Sequence, residues 1–488
     1  MYHNIKQMIF FMFGPFIARL FSFVSLPIIS YYITLEEFGT FTLFTILVMY
    51  LTPMITLGTE QYYLRTYNQE EGALVRNRLL GLYSVISIII SLAGVSYYIL
   101  YSEEGLGNSL YFFACAVIVA AFTALQDIYT RTIRFHGLGQ IYSLAIFLSQ
   151  FCTFVITIIL TMVFKSIMAL IISTVLSAVF SMIINIILFN KNVKKLEKQS
   201  IKSKNVIKKS LKYSLPLLPS IFLWLLQSTI DRLIISTYLS SEVLGVFSVG
   251  LKFASITILF VNSFLVFWEP KLYNYYDKYK GDIEFENIVR KYKNFYGIFM
   301  QLVISGLFLV LPLLVATLST SYREALYIIP LMILPIYIHG FNYFSGFGPQ
   351  LTRKTTYSLY PLVVSITINL MLNLLFVNKL GLIGVILFSN TGILILLICN
   401  TLISNKLMTR NINISYDLFK ILANNVIAVY FFITHNFLVS ACSIILLIVV
   451  DLFFNRKDLK EYFEMGSTVI KNKLKKIKLI RYKLRGEE

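Results

Sequence analysis

The sequence predicts an all-α polytopic membrane protein with about 14 transmembrane helices: two pseudo-symmetric six-helix lobes followed by two C-terminal helices. Three observations predict it. First, 57% of the 488 residues are hydrophobic and only 14% charged, with a mean hydropathy of +0.74; soluble domains are about 45–50% apolar and about 25% charged. Second, the basic residues crowd into alternate segments between apolar runs. Third, a ten-residue stretch at the turn between two apolar runs recurs 206 positions further on.

A helix needs about twenty apolar residues to cross ~30 Å of hydrocarbon. Runs of this kind cover 8–33, 38–58, 79–101, 109–129, 141–164, 167–189, 213–239, 243–268, 295–318, 325–348, 356–377, 381–404, 417–434 and 437–454. The first is too long for a signal-peptide core and no small-residue cleavage site follows it, so it is expected to remain as the first span. One alternate set of loops and termini carries thirty-six Lys and Arg; the other carries only Lys165, Arg323 and Lys379. The positive-inside rule therefore places both termini in the cytoplasm, with the protein in a plasma membrane. Adding or dropping a span would interleave the two sets, so the split itself supports fourteen. The outer links, such as 34–37, 102–108 and 434–436, are too short to form an external domain.

The net charge of +19 comes from these loops and from the tail. That distribution suits cytoplasmic segments facing anionic lipid and argues against nucleic acid as a partner. Cys115, Cys152, Cys399 and Cys442 all lie in apolar runs with no CxxC spacing, so they read as packing residues.

The repeat aligns Tyr32–Phe41 with Tyr238–Phe247, placing Glu36 over Glu242 and Gly39 over Gly245. Six spans separate the copies, so they share an orientation, as parallel repeats do. This divides the chain into lobes at 1–189 and 213–410, a basic linker at 190–212, helices 13 and 14 at 411–455 and a basic tail at 456–488. In the tail, Leu474, Ile477 and Leu484 fall on one face among basic residues, the pattern of an amphipathic helix on anionic lipid.

A charge inside a span is costly and marks a functional site by default. Arg19 lies about eleven residues into the first span, ~16 Å deep, and Lys252 about nine into the eighth, ~14 Å deep. Two cations at similar depth in the two lobes suit a bridging anion such as a pyrophosphate, Arg as a bidentate reader and Lys as a point charge. The plain alternative pairs each with a carboxylate or a carbonyl. Asp231 and Arg232, ~100° apart on one helix, read as a sugar contact or as an outer gate or ion pair. His339, among Pro330, Pro335, Gly340 and Gly346, reads either as a carrier of a coupling proton or as a hydrogen-bonded core histidine. Asp231 shares the coupling role as a candidate. Asn369, Asn373 and Asn390 either contribute to a cation site or join helices together. Asp127 and Arg131 are spaced for an ordinary i,i+4 pair, and Glu269 looks interfacial. The chain has no phosphate-binding loop, HExxH or GxSxG motif and no metal-ligand spacing, so neither a cofactor nor ATP drive is expected.

Two blocks carry a resemblance. ARLFSFVSLPIISYYITLEEFGTFTLFTI with LGTEQYYLRTY is the first; SLPLLPS, IDRLIISTYLSSEVLGVFSVGLKF and FWEPKLY form the second. Together they resemble the bacterial polysaccharide transporter family of the MATE-like superfamily. The resemblance implies a MATE-like fold and a flippase that moves undecaprenyl-pyrophosphate-linked oligosaccharides, such as O-antigen or capsule repeat units, to the outer leaflet. It implies alternating access coupled to H+ or Na+, and a glycan polymerase of the same pathway as a partner. Three alternatives stand beside it: a multidrug or cation antiporter, a peptidoglycan-precursor flippase, and a membrane glycan polymerase or ligase. The first expects an acidic cavity, and the last a large external loop.

Overall fold

The computed structural model describes residues 2–66, 72–101, 106–194, 205–279, 283–409 and 411–454. The predicted tail helix and residues 195–204 of the basic linker lie outside them. Every described element is helical: α1 (Tyr2–Ile29), α2 (Leu35–Thr56), α3 (Thr59–Thr66), α4 (Gly72–Tyr101), α5 (Leu106–Phe135), α6 (Gly139–Phe164), α7 (Ile167–Asn192), α8 (Val206–Ser214), α9 (Leu218–Tyr238), α10 (Ser241–Ala254), α11 (Ile256–Lys278), α12 (Ile283–Thr317), α13 (Ala325–Ser345), α14 (Gly348–Leu351), α15 (Leu359–Met408), α16 (Ser415–Thr434) and α17 (Phe437–Phe454), with three short 3-10 turns.

Among the described residues eleven helical segments are long and apolar enough to cross a membrane, and Gly14–Ile29 and Phe437–Phe453 are shorter apolar helices. One of the eleven, Thr355–Met408, has 54 residues. A straight helix of that length would span ~80 Å, far more than a ~30 Å hydrocarbon core. It is two helices joined at Gly381, whose φ of 55° and ψ of −144° only glycine adopts readily. This break separates the predicted runs 356–377 and 381–404. The largest departure from the predicted boundaries is α12, which begins at Ile283, twelve residues before its apolar run. Its early turns bury Phe285 and Val289, so the helix continues as an amphipathic extension.

Contacts divide the chain into two compact units. The first comprises Met1–Leu259, Leu313–Met332 and Ser358–Leu396. Within it α1 packs along α6, α6 along α7, α5 against α7 and α2, and α2 along α10. The sequence repeat becomes a structural one at the α2–α10 contact. Thr34 caps α2 by accepting from the Glu37 backbone N–H at 3.2 Å, and Ser240 caps α10 by accepting from the Val243 backbone N–H at 3.2 Å. These are equivalent positions in the two copies. Glu37 returns the bond through Oε2 to the Thr34 N–H at 3.0 Å, and its Oε1 accepts from the Ile167 N–H at 3.1 Å, so one carboxylate caps α2 and α7 together.

The two repeat glycines then meet the opposite copy's backbone. A Cβ on Gly39 would lie 1.9 Å from the Ser241 carbonyl oxygen, and one on Gly245 would lie 1.9 Å from the Leu35 carbonyl oxygen. Leu35 and Ser241 are themselves equivalent residues, so the crossing has pseudo-two-fold symmetry. Tyr322 closes the same end by donating to the Ile33 carbonyl at 2.8 Å, while Ser319 N–H donates to Ser30 Oγ at 3.2 Å. Gly39→Val or Gly245→Val is expected to force the helices apart and destabilise the protein by about 3 kcal/mol, near the upper end of overpacking costs. A melting temperature unchanged by both substitutions would contradict this close crossing.

The second unit comprises Phe260–Pro312, Ile333–Tyr357 and Leu397–Glu488. It is built on an aromatic core. Trp268 is fully buried, donates Nε1–H to the Tyr343 carbonyl at 2.8 Å and stacks on Phe344 at 5.1 Å. Tyr296 is surrounded by Phe264, Phe341 and Phe344 at 5.2–5.5 Å. Beside it lies a buried network of four charges. Asp417 Oδ2 meets Lys293 Nζ at 2.5 Å, Asp417 Oδ1 meets Lys420 Nζ at 3.6 Å, and Lys420 Nζ meets Asp451 Oδ2 at 3.3 Å. All four side chains are at most 3% exposed. Lys293, grouped with the exposed loop charges in the sequence, is thus an interior residue. Lys420 reaches this position because α12 carries Gly297, where a Cβ would sit 2.8 Å from its Nζ.

Candidate functional site

Arg19 and Lys252 come together in the first unit although 233 residues apart. Helices α1 and α10 run antiparallel here: Phe23 meets Phe253 edge-on at 5.1 Å, and Arg19 Nη1 donates to the Ser255 carbonyl at 3.1 Å. Ser255 is the C-cap of α10, three residues beyond Lys252, so both cations flank the C-terminal turn of that helix. Among the described residues neither has a carboxylate partner. The Lys252 ammonium sits 5.7 Å from the centre of the Phe38 ring, a cation–π contact. The carboxylate-pairing alternative is therefore not the arrangement found, and for Arg19 the carbonyl alternative is.

Lys252 also lines a cavity of about 150 Å³ between α1, α2, α6, α7 and α10, and among the described residues is the only charged one in its wall. The rest of the wall is polar and aromatic: Ser22, Ser25, Gln150, Thr153, Thr157, Ser173 and Thr174, with Phe21, Phe38, Phe41 and Phe154. Most of the hydroxyls spend their protons on their own helices. Ser25 donates to Ser22 O at 2.8 Å, Thr153 to Ser149 O at 2.9 Å, Ser173 to Leu170 O at 2.8 Å and Thr174 to Leu170 O at 2.7 Å. These oxygens keep lone pairs to offer the cavity. Among the described residues the Gln150 amide, the Ser22 hydroxyl and the Lys252 ammonium have no hydrogen-bond partner.

Asp231 and Arg232 diverge, as their angular separation requires, and form no ion pair. Arg232 turns to the Ser228 carbonyl at 2.9 Å. Asp231 points into the unit, where Asn369 Nδ2 donates to its Oδ1 at 3.2 Å. Asn373 Nδ2 donates to Asn369 Oδ1 at 2.5 Å, and its own Oδ1 is buried with no partner. The result is a half-buried carboxylate with a shell of neutral oxygens and amides. Partial burial within an apolar span raises the cost of the charged form and so favours a proton or a cation beside it. Asn390 stands apart, donating to the Leu331 carbonyl at 3.3 Å.

His339 belongs to the second unit, half-buried on α13 and edge-on to Tyr343 at 5.5 Å. Asp127 and Arg131 form the expected pair at 2.5 Å. Sequence reasoning missed Gln150 and Ser22. The available signal was Gln150, the one amide within the predicted run 141–164.

The first 274 residues also carry a family likeness. A family model described as "Polysaccharide biosynthesis protein" matches residues 5–274. No curated protein sequence matches. Among solved structures, "Lipid II flippase MurJ, inward closed conformation" superposes with a TM-score of 0.61 at 16% identity, covering 92% of this chain and 99% of that one. "Inward-facing conformation of a multidrug resistance MATE family transporter of the MOP superfamily" gives 0.61 at 14%, covering 80% and 94%. A MOP superfamily transporter from Pyrococcus furiosus gives 0.58 at 16%, covering 83% and 95%. At these identities the likeness shows the fold, which is MATE-like and multi-pass.

Proposed function

The chain belongs to the polysaccharide biosynthesis protein family, and from that premise we propose that it is a flippase, a transporter and not an enzyme, which carries pyrophosphate-linked oligosaccharide repeat units on a polyprenyl lipid across the membrane. The observation that carries this reading is the pair Arg19 of α1 and Lys252 of α10, two cations at the C-terminal end of α10 with no carboxylate partner among the described residues. An excess of positive charge in an apolar environment calls for an anionic ligand, and a pyrophosphate offers a guanidinium two oxygens at once. The same charge repels a cationic drug, which weighs against the multidrug alternative. A lipid-linked peptidoglycan precursor presents the same pyrophosphate, and the family match favours the polysaccharide substrate. Movement follows alternating access, with the pyrophosphate held by these residues, the lipid tail outside, and the product delivered to the outer leaflet for a polymerase.

Coupling falls to Asp231. A half-buried carboxylate bonded by Asn369, with Asn373 behind it, suits one H+ or one Na+, and its occupancy sets the local charge. The testing experiment reconstitutes the protein in liposomes and follows exposure of a fluorescently labelled polyprenyl-pyrophosphate oligosaccharide to an impermeant quencher. A gradient of one monovalent cation equivalent to about 60 mV is worth about 1.4 kcal/mol, up to tenfold in accumulation. Asp231→Asn is expected to keep the fold and hydrogen bonds but to abolish the response to both H+ and Na+ gradients. A variant still driven by the same gradient would move coupling elsewhere, and efflux of an organic cation without lipid exposure would overturn the flippase reading.

A further inference from the structure

We infer that Phe38 is a positioning residue that ties occupancy of the Lys252 ammonium to release of the closed end of the first unit, so that the bound pyrophosphate itself triggers opening there. The inference rests on the pyrophosphate reading of Lys252. It starts from one ring with two neighbours. The Phe38 ring, 5% exposed, has the Lys252 ammonium 5.7 Å from its centre and the Tyr322 ring edge-on at 6.3 Å. Tyr322 is fully buried, and its hydroxyl shares its proton between the Ile33 carbonyl at 2.8 Å and the Thr34 carbonyl at 3.2 Å.

This closure is light. The segment between α12 and α13 is tied to the turn between α1 and α2 by that one hydroxyl and by the bond from Ser319 N–H to Ser30 Oγ at 3.2 Å. Among the described residues no ion pair crosses it. The distribution of basic loops places this end outside.

The chemistry sets an order of events. An aromatic ring has a negative face and a positive edge, so one ring satisfies an ammonium and a second ring together. A phosphate oxygen is the stronger partner for that ammonium, because a charge-assisted hydrogen bond outranks a cation–π contact. When the anion arrives, Lys252 turns to it and the Phe38 ring loses the contact that fixes its orientation. Tyr322 then loses the ring it rests on, and its shared hydroxyl bond alone no longer holds the segment. A ligand shifts such an equilibrium only by the difference in its affinity for the two states. In the closed state the anion competes with the ring for the ammonium; in the open state it does not.

The test follows labelling of Ser30→Cys, a position 4% exposed beneath the segment, by an impermeant maleimide. It uses the full chain in lipid nanodiscs, with Cys115, Cys152, Cys399 and Cys442 changed to Ala and a short-chain prenyl pyrophosphate as ligand. The ligand is expected to speed labelling about tenfold, within the usual range of coupling between sites. Phe38→Leu should bind the ligand more tightly, since no ring competes for the ammonium, yet speed labelling less than about twofold. Phe38→Tyr, which restores the ring, should recover the acceleration. Lys252→Gln frees the ring without a ligand, so it should raise the basal rate about fivefold and abolish the response. Acceleration in Phe38→Leu equal to the native one, or none in a native chain that binds the ligand, would overturn the inference and leave the flippase reading standing. Should Phe38→Leu not fold, the basal rate of Lys252→Gln decides, and a rate equal to the native one would overturn the inference. A native chain that does not bind the pyrophosphate would overturn both.

Discussion

Lys252→Gln is expected to reduce leaflet exposure of the lipid-linked oligosaccharide by about 100-fold or more at unchanged melting temperature, with Arg19→Gln somewhat milder. A partly desolvated charge pair with a ligand is worth about 2–5 kcal/mol on truncation, and each 1.4 kcal/mol is tenfold. Lys252 sits at the larger end because, among the described residues, its ammonium is held only by the Phe38 ring and loses little else on substitution. Arg19 also gives up its bond to the Ser255 carbonyl, so part of its effect is positional. The conservative changes separate charge from shape. Lys252→Arg should keep most activity, whereas Arg19→Lys should lose the bidentate component and fall about tenfold. Flipping unaffected by both glutamine variants would leave the fold and family intact and remove these residues from the site.

Asp417→Asn is expected to destabilise the protein by about 3–5 kcal/mol, the cost of leaving a buried charge without its partner. Its two oxygens face Lys293 and Lys420, so its neutralisation leaves Lys293 without its carboxylate and Lys420 with Asp451 alone. Lys420→Met should cost less, because the Lys293–Asp417 pair survives and Asp451 retains the Tyr416 hydroxyl. Replacing all four with apolar residues of similar volume should recover most of the loss, since a complete buried network contributes little net stability. Urea or thermal unfolding of these three variants gives the order directly. If Lys420→Met proved the more damaging, Asp417 would not be the centre of the network.

The charged candidates were legible because a charge in an apolar run stands out wherever the run ends up. Arg19, Lys252 and Asp231 announced themselves in this way, and the Glu36–Gly39 and Glu242–Gly245 turns announced the repeat. The cavity was not legible. Ser25, Thr153, Ser173 and Thr174 are neutral, and such residues recur in membrane helices as ordinary interhelical contacts. Nor was the four-charge network, because Lys293 and Asp417 lie at the edges of apolar runs, where charges belong by default.

By itself the sequence determined the class of protein: how many apolar runs there are, how basic loops alternate between them, and where two copies of one motif lie. Those properties are local, since transfer of a segment into lipid depends on the residues of that segment alone. Only the tertiary structure decided which polar groups converge. Arg19 meets Ser255 across 236 residues, and Asp231 meets Asn369 across 138. A hydrogen bond acts over about 3 Å, so partnership depends on the rotation and crossing of whole helices. The close approach at Gly39 and Gly245 fixes that geometry for α2 and α10.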